Sequence, residues 1–544
     1  MVSTRSLRLL APLLALGLVA ASCSSDDEPE RLGAEDTTTS SGGTSEPSEF
    51  NQAQFEGEPK PGGSITVGVR YGFSTLDPAG FSEQSQYSAG LAVYDPLVSR
   101  DEAGDYAPSL ATEWSISDDL STYTLTLRDD VRFQDGAPFD AAAVVAHFER
   151  LQDPATNCTC INSISAVAAV EATDPTTVVF TLTQPDAFFL SDLAGPIGFI
   201  VSPKAAATYG TDYPLHPVGT GPFSLESLDP VVLEKNPDYW QRDDEGRPLP
   251  YLDRIEVRPI ADAEERLESL RSGDVDLIQT DDSASIVDAA SDEQLKLQRI
   301  TGSSATVLAF NTQEPPFDDV RARRALAHGI DRQDIDDAVY GGESVPAEVP
   351  IPVGPRYQAD VDWPELDVEQ ARELVADLKA DGMRPTVTAT CIDTSDARVT
   401  LTSIRRQAKS FGLTIEPELM DAGPFVNLVF GPDHDFAAVC FKSPYVVDAD
   451  GLHESFHSQG ESNVSGYRNP TVDEALDDIR RTFDAEEHVR LLRIVQEELA
   501  RDVPVIPLVQ DLSANVYDDD ISGLPVPEPG ILGVIRFTTV YRTA

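Results

Sequence analysis

Four residue classes are scarce in this chain of 544 residues. It has three methionines, three tryptophans and five cysteines, and only 40 lysines and arginines against 93 aspartates and glutamates. The net charge of −53 excludes a nucleic-acid binder, because a phosphate backbone needs a positive footprint. It also excludes electrostatic attachment to anionic lipid, although a local site can still oppose the global field. Five cysteines cannot staple a disulfide scaffold of this size. Beyond the N-terminus no apolar run approaches the ~18 residues of a transmembrane helix. The chain carries neither a G-x-S-x-G elbow nor a P-loop. With so many acids, a pair of carboxylates is no sign of catalysis, and the acidic excess reads as a solvated surface.

Apolar residues make up 41% of the chain, enough to bury cores. The length suggests several compact units, or two lobes with an insertion. Arg5 and Arg8 precede an uncharged run from Leu9 to Ala21, too short to span a bilayer but suited to a secretory signal. Residues 1–22 are therefore read as a signal peptide. Ala20-Ala21-Ser22-Cys23 is similar to the lipobox of bacterial lipoproteins, which implies lipidation at Cys23; Ala20 stands where leucine is usual. Residues 23–61 are rich in Ser, Thr, Gly, Asp, Glu and Pro and read as a flexible acidic tether. The expected location is the outer face of the cell membrane, by a lipid anchor, or the periplasm.

From Gly62 the pattern becomes that of a folded body. Ser64 to Val69 alternates as a strand, and so does Tyr123 to Leu127. Asp140 is placed to cap a helix carrying Val144, Phe148 and Leu151. Val387–Ile392, Leu413–Leu419 and Phe436–Phe441 read as strands, with an amphipathic helix from Asp396 to Phe411 between the first two. Asp367 caps a helix through Val368, Ala371, Leu374 and Leu378. This alternation indicates an α/β unit with a largely parallel sheet.

Several runs then occur in a fixed order. Pro108 to Trp114, Tyr123 to Arg128 and Val131 to Pro138 are followed by Val218-Gly219-Thr220-Gly221-Pro222-Phe223, Asn236 and Tyr239-Trp240. Leu270 to Leu277, Phe310-Asn311, Pro316 to Arg321, and Asn463 to Tyr467 with Asn469-Pro470 complete the series. Together they resemble family 5 solute-binding proteins, the peptide/nickel-type receptors of ABC importers, from Gly62 to about Pro507. The resemblance implies an α/β, two-lobed periplasmic-binding-protein-like fold with a subdomain inserted in the first lobe. On that reading lobe I comprises residues 62–98, 219–306 and 511–544, the inserted subdomain 99–218, and lobe II 307–510, with crossings near Phe310 and Gln510. It implies a monomer that is not an enzyme and needs no cofactor or metal. It would close around a small solute, a peptide first among them, and deliver it to permease subunits with their ATPases. Dipeptide, nickel chelate, opine and glycan stay open.

In peptide-binding relatives an aspartate after the strand ending near Phe441 pairs with the ligand's amine. Here Asp448 and Asp450 stand in that stretch, with Ala449 replacing a usual proline and Phe441 a usual tryptophan. Asp448 equally suits a helix cap. The opposite wall would be Tyr71, Gly72, Phe73 and Ser74, and motif position adds Asn311, Asn463 and Tyr467. Two features compete with this picture. His453-Glu454-Ser455-Phe456-His457 fits the H-E-x-x-H of zinc hydrolases, but it sits in a short segment between Gly451 and Gly460. A third ligand is not evident, although Glu474, Glu486 and Glu487 lie downstream. The other alternative is a surface interaction protein that no longer transports. After Cys23, four cysteines in an oxidising compartment permit three pairings. The preferred one joins Cys391 to Cys440, each near a strand end, and Cys158 to Cys160.

Overall fold

The computed structural model describes residues 52–543 except 73–74, 82–83, 102–104, 302–303, 348–360, 432–434, 444–448, 461 and 528–533. Cys23 thus lies outside the described residues. No helix among the described residues is long and apolar enough to cross a membrane.

The first lobe is built on a seven-stranded sheet. Its order is Leu295–Ile300, Ser513–Asp518, Leu277–Thr280, Ser64–Val69, Arg254–Pro259, Val231–Lys235 and Phe223–Leu228. Ser64–Val69 is central and pairs in parallel with both neighbours. Ile65, Val67 and Val69 alternate onto one face of this strand and are all within the core. A four-stranded antiparallel sheet in the order Ala111–Ile116, Thr122–Leu127, Thr177–Leu182 and Val167–Asp174 forms a separate layer. Tyr123, Leu125, Val178 and Phe180 face helix Ala141–Gln152, whose Phe148 ring lies 4.9 Å from that of Phe180. Asp140 caps that helix by accepting from the Ala143 N–H.

The second lobe has a five-stranded sheet in the order Thr414–Met420, Thr386–Ile392, Ala438–Ser443, Ala305–Phe310 and Val505–Gln510. It is mixed rather than largely parallel. Thr386–Ile392 runs parallel to both neighbours, but Ala305–Phe310 is antiparallel to its own two. The reason is connectivity: Ala305–Phe310 enters from the first lobe and Val505–Gln510 returns to it, and these two transit strands pair in opposite directions.

The crossings fall between Ile300 and Ala305 and at Asp511–Leu512, so the first lies a few residues ahead of Phe310. One buried carboxylate stitches them. Asp511 accepts hydroxyl hydrogen bonds from Ser304 at 2.5 Å and Thr306 at 2.7 Å, while its N–H donates to the Ser304 carbonyl.

The last part of the stretch expected to be tether belongs to the folded body. Residues 52–60 lie along the first lobe: Gln54 bridges Leu524, the Glu56 N–H donates to Ser522 and Lys60 Nζ to the Thr543 carbonyl. A polar segment without apolar anchors is held here by backbone pairing, which composition does not reveal.

Most of the motif residues are scaffolding. Asp95 is buried and accepts from Thr220 Oγ1, Tyr239 OH and Trp240 Nε1 at 2.8–2.9 Å. Burial raises its pKa, and those three hydrogen bonds oppose the rise. A Cβ at Gly221 would lie 2.5 Å from the Val93 carbonyl carbon, so only glycine lets this loop approach the helix Gln84–Val93.

Candidate functional site

The two large sheets face each other across a cavity of about 1100 Å³. Strand ends and helix N-termini supply its walls. From the first lobe come Arg70, just past Ser64–Val69, and Asp281 and Asp282, just past Leu277–Thr280. The helices Ala263–Arg271 and Ser283–Ala290 start at Asp262 and Asp282, each accepting from a first-turn N–H. From the second lobe come Cys440, Phe441 and Lys442 on Ala438–Ser443, and Asp396 in the first turn of helix Ser395–Ser410. Phe425, Val426, Val429 and Phe430 of helix Ala422–Phe430 form an apolar wall. Val426 and Phe430 are half exposed, as side chains that receive a ligand would be.

Charge is concentrated where the lobes meet. Asp281 faces two cations at 3.7 Å, Arg70 of its own lobe and Lys442 of the other. Ser283 Oγ donates across the lobes to Asp396 at 2.7 Å. Burial raises the pKa of Asp396, with the Ser283 hydrogen bond and the Lys442 charge working against it. Burial by itself would lower the Lys442 pKa, but Asp511, Asp281 and Asp396 more than reverse this, so the ammonium stays charged. Cys391 and Cys440 are opposite each other on parallel strands and are disulfide-bonded, with Cα atoms 4.9 Å apart. Cys440 lines the cavity, so this bond lies in its wall. Cys158 and Cys160 are bonded in the four-stranded unit.

The residues expected from the sequence divide sharply. Phe441 lines the cavity. Tyr71 and Gly72 do not; Tyr71 is exposed beneath the Arg70 guanidinium, and a Cβ at Gly72 would merely touch Pro259. Asn311 is buried and turns the chain, its N–H donating to Ala437 and its Oδ1 accepting from the Gln313 N–H. Asn463 holds a loop through the carbonyls of His457 and Tyr467, and Tyr467 is a core residue donating to Asp502. These two do not face the cavity, but the loop they brace presents Ser462 and Val464 to it. Phe73, Ser74 and Asp448 lie outside the described residues, as does the side chain of Asp450.

Sequence reading missed Lys442, Asp281, Asp396 and helix Ala422–Phe430. A signal existed for the first: a lysine two residues after Cys440 in an apolar strand of a cation-poor chain.

In the H-E-x-x-H segment Glu454 approaches Nδ1 of His453 at 3.7 Å.

Comparison with known proteins agrees with this architecture. The glutathione-binding protein GsiB of Salmonella paratyphi A is 31% identical over 481 residues, covering 86% of this chain and 93% of the relative. The substrate binding protein CtaP of Listeria monocytogenes superposes with a TM-score of 0.78 at 24% identity, covering 89% and 100%. The DppA protein of Helicobacter pylori, solved with the peptide STSA, gives 0.71 at 25% identity, covering 89% and 99%. Such relatives are extracytoplasmic receptors rather than enzymes. Residues 105–463 match the model of the bacterial extracellular solute-binding proteins, family 5, and the chain belongs to that family as a substrate-binding receptor of an ABC importer.

Proposed function

We propose that this receptor captures a short peptide, or a peptide-like zwitterion such as glutathione, between its lobes. The cavity carries the reading. It is slightly larger than the ~300–1,000 Å³ typical of small-molecule sites and combines charges of both signs with an apolar wall. Lys442 and Arg70 suit a carboxylate, and the half-exposed Val426 and Phe430 suit an apolar side chain. A glutathione-binding relative and a peptide-bound neighbour support the same solute class. The ligand's amine is assigned to Asp448 or Asp450. Alanine at whichever carries the contact weakens binding roughly thirty-fold or more. Native mass spectrometry of freshly purified protein, followed by calorimetry with glutathione and a tetrapeptide, tests the class. A co-purifying sugar or metal chelate, with neither peptide binding, overturns it.

The mature N-terminus is assigned to lipidated Cys23, which would hold the receptor beside its permease. Cys23→Ser releases the protein from washed membranes; retention of that variant removes the anchor.

A further inference from the structure

Away from the cleft, two helices bring metal-ligating side chains together. His453 lies in helix Ala449–Phe456, and His457 follows one residue beyond its end. The His457 N–H donates to the His453 carbonyl, keeping the helical spacing, and the rings stack with centroids 4.3 Å apart. Across from them, Asp473 and Asp477 occupy successive turns of helix Pro470–Ile479. Nε2 of His453 lies 3.5 Å from Asp477 Oδ1, and Nε2 of His457 lies 3.8 Å from the same oxygen. His457 Nε2 is 4.0 Å from Asp473 Oδ1.

These separations exceed the roughly 2.7–3.2 Å of an N–H···O hydrogen bond. They are near the edge of a tetrahedron with metal–ligand bonds of about 2.0–2.1 Å, which is about 3.3 Å. Two imidazole nitrogens converging on one carboxylate oxygen also suit a borderline-soft divalent ion. We propose that His453, His457 and Asp477 form a binding site for a divalent transition metal, zinc foremost, with Asp473 or water as the fourth ligand. The third ligand is thus Asp477 rather than a downstream glutamate.

The surroundings define how the ion enters. Both histidines are largely buried while Asp477 is 42% exposed, so entry is from the Asp477 side. Asp473 is oriented by Ser458, whose N–H and Oγ donate to its two oxygens at 2.8 and 2.7 Å. Arg481 stands 3.7 Å from Asp477 Oδ2 and is highly exposed, a loose competitor for that carboxylate. Nδ1 of His457 accepts from the Gln459 N–H at 3.1 Å, so the neutral ring carries its proton on Nε2. Coordination through Nε2 moves that proton to Nδ1, with no net release, and breaks the Gln459 bond. The turn His457–Gly460 therefore has to shift on loading. It leads directly to Ser462 and Val464 on the cavity wall, so an ion here would brace that wall without touching the solute.

Tag-free mature protein, stripped with a chelator, is titrated with Zn²⁺ by calorimetry and with Co²⁺ by visible absorption. One equivalent is expected to bind, Co²⁺ giving tetrahedral d–d bands that Zn²⁺ abolishes, and the Gln459 amide resonance is expected to move. Asp477→Asn and His453→Ala are each expected to weaken Zn²⁺ by at least about tenfold. Asp477 is partly exposed, so Asp477→Asn keeps the metal-free unfolding midpoint and decides the matter even if a histidine variant folds poorly. The absence of stoichiometric Zn²⁺ binding overturns the site, as does undiminished binding in Asp477→Asn.

Discussion

Lys442 and Asp281 meet across the two lobes at 3.7 Å, and Arg70 holds the other oxygen of the same carboxylate at 3.7 Å. Two cations share this one anion, while Asp396 and Asp511 also act on Lys442. A ligand carboxylate entering there would be received by Lys442 and Arg70. Both partners are about half exposed, so the interaction is worth only about 1 kcal/mol. Lys442→Gln is expected to weaken a peptide with a free carboxylate roughly fivefold. The same peptide with an amidated C-terminus should lose little. Calorimetry on the two peptides at low and high salt reads the difference; equal losses would place the carboxylate elsewhere.

The Cys391–Cys440 bond closes a loop with a sequence separation of 49. In the loop-entropy account such a closure contributes about 4 kcal/mol. The Cys391→Ala, Cys440→Ala double variant should unfold at clearly lower denaturant, and non-reducing peptide maps should show the bond in the parent. Two free thiols in those maps would remove the expectation.

Burial, reinforced by the neighbouring charge of Asp337, raises the pKa of Asp336 to about 6. Its Oδ1 has no hydrogen-bond partner, and the residue is fully buried. A raised folded-state pKa means that the native protein binds the proton more tightly than the unfolded chain. Between about pH 4 and pH 6 the contribution of this carboxyl to stability therefore falls as pH rises. Asp336→Asn should stabilise the protein at pH 7.5 by roughly 2 kcal/mol and leave it little changed at pH 4. Denaturant melts at the two pH values check the sign; a larger gain at pH 4 would contradict it.

Gly329 ends the helix Val320–Gly329 against the ring of Phe411, which is itself buried. A Cβ there would come within 2.1 Å of that ring. Gly329→Ala should cost roughly 1–3 kcal/mol by overpacking, read as a lowered unfolding midpoint with solute affinity unchanged.

The lobes were legible in the sequence because each relies on local signals. Asp140 and Asp367 cap the helices they precede, and Val387, Ala389 and Cys391 alternate into the core. Most of the cavity lining, Phe441 apart, was not legible, for a physical reason. Its contacts join Asp281 to Lys442 and Ser283 to Asp396, positions more than a hundred residues apart with no shared pattern. The conspicuous motifs pointed instead to Thr220, Tyr239 and Trp240, which hold Asp95, and to Asn463, which holds a loop. A strongly patterned residue therefore marks what the backbone needs as readily as what the solute touches.

The place of strand Ser513–Asp518 in the first sheet sets the order of assembly. It pairs on one side with Leu277–Thr280, where Leu277 opposes Tyr517, and on the other with Leu295–Ile300. A chain emerging from its N-terminus holds every strand of the second lobe before this one arrives. The lobe begun first is thus the last to be finished, and the pairing of Leu277–Thr280 with this strand awaits a closure spanning more than two hundred residues. Until then the edges of Leu277–Thr280 and Leu295–Ile300 that this strand covers stay unpaired in an emerging chain, open to pairing with other chains.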